Sequence, residues 1–232
     1  KEVKGEENFI PEISFGNGLF NYYSIWVAEE YPLLKPIIRL FPKGDKKKGI
    51  SQLDNAAKNS FYTRTEAQFF LMKILSQENS ISKSFQLSNY LSDLFPNNSI
   101  FHGVNNSLLY RSGRFNECEK ESLIIIENFK KNKYGYKHNL VRQAAFFLGE
   151  IYNSKSEIKL SKKFYNESIE MAKIINAEKM GYTLHSYFSL GKFAFNEKDY
   201  NSAKRYFNKV IKLTKRGEKI NADSRIFLKK MR

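Results

Sequence analysis

Residues Tyr187–Leu213 read YFSLGKFAFNEKDYNSAKRYFNKVIKL, two amphipathic stretches of helical period joined by a polar turn at Lys198-Asp199. Small residues stand where large ones would bury more surface: Gly191 in the first stretch and Ala203 in the second, each ringed by aromatics. Two antiparallel helices approach closely only where small side chains meet at their crossing. Gly191 and Ala203 therefore mark the crossing, and Tyr187, Tyr200 and Phe207 fill the space around it.

The register recurs upstream. AAFFLGEIYNSKSEIKLSKKFYNESIEMA (144–172) places Leu148, Gly149 and Tyr152 in a first helix and Ser161, Tyr165 and Ser168 in a second. SIFHGVNNSLLYRSGRFNECEKESLIII (99–126) carries Gly113, Phe115 and Cys118 at the turn and small positions, with Asn105-Asn106 in place of Leu-Gly, which predicts a looser first helix. In TEAQFFLMKILSQENSISKSFQLSNYLSDLFPNN (65–98), Leu71 and Ser84 take the matching places and Pro96, which has no N–H to donate, ends the second helix. From Leu71 to Asn105 the offset is 34 residues, and from Leu148 to Leu190 it is 42, so the later helices or their connection are longer.

This pattern resembles the tetratricopeptide repeat (TPR), with the one departure that Ala194 stands where the first-helix aromatic would be. The resemblance covers roughly residues 10–216, and the block LFPKGDKKKGISQLDNAAKNSFYTRTEA is similar to stretches of bacterial members. It implies an all-α, right-handed superhelix of about five hairpins plus a C-terminal capping helix, in one domain over 1–232. The repeats fall at 10–60, 64–98, 99–136, 142–176 and 184–216, with the cap at 219–232. In that cap Ile226 and Phe227 pack down while Lys229, Lys230 and Arg232 stay in water.

The first repeat is irregular. PEISFGNGLFNYYS resembles a first helix with Gly18 at the crossing, and GDKKKGISQLDNAAKNS a second with Gly49, Leu53 and Ala56. An apolar insertion at 25–42, broken by Pro32, Pro36 and Pro42, separates them. Either it straps over the first hairpin as a cap, or Trp26, Ile37, Ile38 and Phe41 form a docking edge for a partner or a membrane surface. Lys43 and Lys46–Lys48 stand beside that edge.

The chain has 39 Lys and Arg against 24 Asp and Glu, a formal net charge of +15, and residues 199–232 alone supply +8 of it. Such an excess favours anionic partners without naming the class. Nucleic acid is the alternative partner, through KRYFNKVIKLTKRGEK; yet Phe207, Val210 and Ile211 fall on the inward face and leave Lys204, Lys212 and Lys215 as a solvated surface.

Convergent chemistry is not visible, so neither catalysis nor a cofactor is expected. His102, His138 and His185 have no partner at metal-ligand spacing. The lone Cys118 occupies a crossing position as a small buried hydrophobe, and Gly16-Asn17-Gly18 lacks the lysine of a phosphate loop and reads as close packing. No apolar run approaches the ~20 residues of a spanning helix. The sequence opens on Lys1 and not on methionine, which leaves room for a removed leader. An exported or periplasmic location follows in that case, a cytoplasmic one otherwise.

The resemblance implies a concave groove lined by the first helix of each repeat, suited to a protein partner. Its register assigns Phe15, Leu19, Tyr22 and Tyr23 to that lining, then Glu66, Phe69, Lys73 and Gln77, then Ser107, Tyr110 and Arg111. Gln143, Phe146, Glu150 and Asn153 follow, and last His185, Phe188, Lys192, Phe195 and Asn196. The family's chaperone-binding members clamp a C-terminal carboxylate with basic residues at two first-helix positions. Those positions here hold Glu12, Gly16, Glu66, Phe70, Ile100, Val104, Gln143, Phe147, His185 and Ser189, so that partner class is not expected.

Overall fold

The computed structural model describes residues 10–231, and among these every regular element is helical. Arg232, expected in water, lies outside them. The chain divides after Pro96 into two compact units.

The first unit opens with α1 (Ile10–Glu30), followed by a strap that holds a 3-10 turn (Pro32–Leu34) and α2 (Lys35–Ile38). Helix α3 (Lys46–Asn59), capped by Asp45 Oδ1 accepting from Lys48 N at 3.0 Å, returns along α1. Helices α4 (Arg64–Gln77) and α5 (Ile81–Leu94) form a second hairpin, with α4 packed on α3. Tyr22, Leu53, Ala56, Ala67, Leu71 and Ile74 make the core. The expected insertion is thus shorter at its start. Helix α1 runs through Ile25, Trp26 and Val27 to Glu30, because no proline or glycine stands between Gly18 and Pro32.

The second unit contains α6 (Ser99–Arg111), α7 (Phe115–Lys130), α8 (His138–Ser154), α9 (Ile158–Ile174), α10 (Gly181–Asn196), α11 (Tyr200–Leu213) and α12 (Lys219–Lys229). Each helix packs on the next, and α6, α8, α10 and α12 also touch in series. That is the stacking of hairpin repeats, in which first helices line one face. Helices α8 and α9 have 17 residues each where α4 and α5 have 14, and the connection after α9 is two residues longer than that after α5; together these make the longer 42-residue offset.

A small residue twelve places after the crossing residue closes every regular hairpin, and in three of them it bonds back to that residue's carbonyl. Ser84 Oγ donates to Met72 O (2.7 Å) and Ser161 Oγ to Gly149 O (2.8 Å), while Cys118 Sγ lies 3.6 Å from Asn106 O; each pair is twelve residues apart. Ala203 stands at the same distance from Gly191 and is fully buried. Midway, the turn residue is left-handed: Asn79 (φ 58°), Gly113 (75°), Ser156 (61°) and Lys198 (63°). A Cβ on Gly149 would stand 2.6 Å from the Tyr165 ring, and one on Gly191 2.9 Å from the Phe207 ring, so each glycine admits the aromatic of the returning helix. Tyr187 and Phe207 are buried as expected, whereas Tyr200 stays at the rim, 44% exposed.

The α1–α3 hairpin makes the same contact with the strap inserted. A Cβ on Gly49 would lie 2.8 Å from both Gly18 O and Tyr22 N. Gly16, read with Gly18 as close packing, has nothing within 4 Å of its Cβ position. It is exposed and plays no part in the crossing.

The expectation of a looser α6 is also corrected. Asn106 is 1% exposed, its Nδ2 donates to Ser122 Oγ (2.9 Å), and its Oδ1 accepts from Cys118 Sγ (3.2 Å). A buried polar knot replaces the glycine, and burial pushes the Cys118 thiol up to about 12. At the end of the chain Phe227 stacks on Phe207, with ring centroids 4.8 Å apart, but Ile226 is 51% exposed and Leu228 turns inward in its place.

Candidate functional site

The first-helix face of the second unit carries a cavity of about 550 Å³. Tyr110 from α6, Arg142, Phe146 and Glu150 from α8, and Tyr182 and His185 from α10 line it, with Met180 and Gly181 at the start of α10. Residues four apart on one helix share a face, which brings Arg142, Phe146 and Glu150 to the same wall.

Aromatic contacts hold this wall in shape. Tyr110 stacks on Phe147 (centroids 4.3 Å, planes 12° apart), and Phe146 lies 5.1 Å from Tyr182 and 6.4 Å from His185. Gln143 Nε2 donates to Tyr182 Oη at 3.1 Å. Burial pushes the Tyr110 hydroxyl up to about 12, so it stays protonated and able to donate.

Arg142 is 5% exposed. Its Nη2 and Nε donate to Asn139 Oδ1 at 2.8 and 3.3 Å, and its guanidinium sits 5.3 Å from the Tyr182 ring centroid. Desolvation lowers its pKa, and Nη1 has no hydrogen-bond partner. On the other flank Glu150 accepts from the Tyr165 hydroxyl. The lining thus combines a mostly apolar wall with one cation and one carboxylate, the composition of a side-chain-binding pocket.

Of the residues assigned to the groove by register, Tyr110, Phe146, Glu150 and His185 come together here. Ser107 and Asn153 are half-buried on the flanking turns, and Arg111 and Asn196 are exposed. Tyr22 is not groove-facing: it is fully buried, its hydroxyl donating to Glu78 Oε1 at 2.7 Å. Phe15, Leu19 and Tyr23 pack half-buried on the first unit's core. On α4, Glu66, Lys73 and Gln77 are exposed, and the Lys73 ammonium lies 5.3 Å from the Phe69 ring centroid.

Phe188 and Phe195 are not free to meet a partner either. Phe227 of α12 packs on both, at 5.8 and 5.3 Å between centroids, and Lys192 Nζ covers the Phe188 ring at 5.5 Å. Helix α12 thus lies over both rings. Trp26 turns back from the proposed docking edge, edge-on to Tyr23 at 5.8 Å, and Ile38 is half-buried, while Ile37 and Phe41 are each 55% exposed.

Arg142, Met180, Gly181 and Tyr182 escaped the sequence reading. It began the last first helix at 184, three residues after α10 begins at Gly181. The sequence signal for Tyr182 is its spacing of three from His185, which puts both on the same helix face. A second concavity of about 600 Å³ lies in the first unit, between Lys47, Ile50 and Ser51 of α3, Leu71 and Leu75 of α4, and Lys83 and Leu87 of α5.

Among the described residues no three histidine, cysteine, aspartate or glutamate side chains gather as a metal site would need. Comparison with known proteins agrees with the hairpin geometry. The tetratricopeptide repeat family model matches residues 143–174 and 184–216. The solved structure of MamA, residue 41 to the end, from Desulfovibrio magneticus RS-1 superposes with a TM-score of 0.57 at 12% identity, over 85% of this chain and 94% of that one. A double mutant of MamA RS-1 gives the same TM-score and identity, over 85% and 93%. BtubC from P. vanneervenii gives 0.54 at 15% identity, over 77% and 75%. At these identities the likeness is one of fold, and no curated protein matches. The stacked hairpins and the repeated crossing agree with the family model, which places tetratricopeptide repeats at residues 143–174 and 184–216 of this chain.

Proposed function

We propose that the chain is a non-enzymatic interaction scaffold, part of a larger assembly, that binds a protein partner on the first-helix face of its second unit. The observation that carries this reading is the aromatic-walled cavity between Tyr110, Phe146, Tyr182 and His185, built by three successive first helices. An apolar or aromatic side chain of the partner fills it, and polar contacts at Arg142 and Glu150 fix its register. The nucleic-acid alternative has less support, since Phe207 and Val210 of the basic α11 are fully buried and cannot stack on bases.

A photoreactive benzoyl-phenylalanine placed at the exposed His185 in host cells tests the reading. The expected result is one dominant cross-linked protein, absent when the probe sits at Tyr134, which is 97% exposed and is not among the cavity's lining residues. Loss of that product on adding Tyr182→Ala, in a chain with unchanged circular dichroism, supports the cavity as the seat. Equal cross-linking from both probe positions, or a product that survives Tyr182→Ala, overturns it.

A further inference from the structure

The strap between α1 and α3 exposes apolar side chains that the fold does not use. Leu33 is 93% exposed, Leu40 83%, and Tyr31, Ile37 and Phe41 each 55%. This is not a loose loop. Tyr31 packs against Trp26 at 6.1 Å, and Gly44 is buried where a Cβ would stand 2.1 Å from Ser24 Oγ and 2.6 Å from Asn21 O. Pinned at both ends on α1, the strap holds its middle outward.

Its order of residues is regular. The apolar pairs Leu33-Leu34, Ile37-Ile38 and Leu40-Phe41 are each followed by a cation, Lys35, Arg39 or Lys43, and residues 31–44 contain no acid. The neighbouring carboxylates are largely committed: Glu29 pairs with Lys46 at 2.5 Å and Asp45 caps α3, while Glu30 faces solvent at the end of α1. Lys47 and Lys48 add two more exposed cations directly after the strap.

We propose that this strap seats the protein on an anionic lipid surface, with Leu33, Leu40 and Phe41 entering the headgroup–acyl boundary and Lys35, Arg39 and Lys43 at the phosphates. Apolar pairs alternating with long cationic side chains suit that boundary, because lysine and arginine lay their stems along the apolar layer and keep their charges at its edge. The attachment is interfacial, since among the described residues no helix is long and apolar enough to cross a membrane. A second copy of the chain is disfavoured as occupant by the net charge of +15 that both would carry. Nucleic acid satisfies the cations but leaves the leucines and isoleucines against water.

Sedimentation of the full chain with lipid vesicles tests this. Wild type is expected to pellet with vesicles containing about one-third phosphatidylglycerol and to stay in solution with pure phosphatidylcholine. Two variants carry the argument: L33S/L40S/F41S removes the apolar contact, and K35E/R39E/K43E reverses the charge. All six residues are exposed, so both variants should keep the wild-type circular dichroism and melting temperature. Each cation lost lowers the partition coefficient about fivefold, so charge reversal is expected to cost at least about a hundredfold, and the serine variant tenfold or more.

Wild type that stays in solution at low salt overturns the proposal. So does a serine variant that pellets like wild type, which would mean adsorption by charge alone. Retention of wild type on immobilised polyglutamate, lost in both variants while vesicles remain unbound, would reassign the strap to an acidic protein.

Discussion

At the scale of single residues, the glycines separate into those that hold helices together and those that do not. Gly18 and Gly49 face each other across the α1–α3 crossing, and the two nearest atoms a new Cβ on Gly49 would meet are backbone atoms of α1. Backbone cannot swing aside as a side-chain tip can, so Gly49→Ala must push the helices apart. Overpacking of this kind costs about 1–3 kcal/mol, against a gain of about 0.5–1 kcal/mol from replacing glycine inside a helix. The expected net loss is about 1–2 kcal/mol by chemical denaturation. Gly16→Ala in α1, with nothing within 4 Å, is expected to stabilise by about 0.5–1 kcal/mol. At the other end of the chain, Ala203→Leu inserts a branched side chain at a fully buried crossing beside Phe207, with an expected cost of about 1–3 kcal/mol. Equal stability of the Gly16 and Gly49 variants would mean that close approach does not govern the first hairpin.

At the scale of elements, the hairpin turn is set by one left-handed residue seven places after the crossing residue. In the last hairpin that place is filled by Lys198 at φ 63°, exposed and without the freedom glycine has there. Lys198→Gly is expected to raise stability by about 0.5–1 kcal/mol, and Gly113→Ala (φ 75°) to lower it by about 1 kcal/mol, in thermal melts of each variant. These elements were legible because their signal is local. The Gly191 and Ala203 spacing states how the two helices cross, and Pro96 states where α5 must end. The site was less legible because its lining depends on what covers each helix. Phe188 and Phe195 sit on the correct face by register, but α12 lies over them. Tyr22 has the same spacing as a groove residue and turns into the core, where Gly49 leaves it room. Asn106 looked like a fault in the motif because a lone buried amide is costly; its partners Ser122 and Cys118 come from the returning helix, sixteen and twelve residues away.

At the scale of the whole molecule, charge and connectivity meet in the carboxylates. Glu12 near the start of α1 accepts from Phe61 N (2.7 Å), Tyr62 N (3.1 Å) and the Thr63 hydroxyl (2.6 Å), and so ties the α3–α4 turn back to α1. The Thr63 hydrogen bond leads in lowering its pKa to about 2. Elsewhere carboxylates are lowered by cationic partners distant in the chain: Glu119 of α7 by Lys155, against the burial that opposes the shift, and Glu178 of the α9–α10 turn by Lys209 of α11. A carboxyl whose folded pKa lies below its unfolded value contributes stability above the unfolded pKa and loses it as pH falls through the folded one. For Glu12 that window runs from about 4.5 down to about 2. Protonation over the same window removes negative charge from a chain already at +15, so self-repulsion grows as the ties are lost. The melting temperature is therefore expected to hold from pH 7 to about 5 and to fall steeply below 4.5, with part of the fall recovered by added salt that screens the repulsion. Glu12→Gln keeps the shape but removes the titration, so its melting temperature should be lower than wild type at pH 7 and converge on it near pH 2. A constant gap between the two proteins across that range would show that the Glu12 charge plays no part in holding the turn.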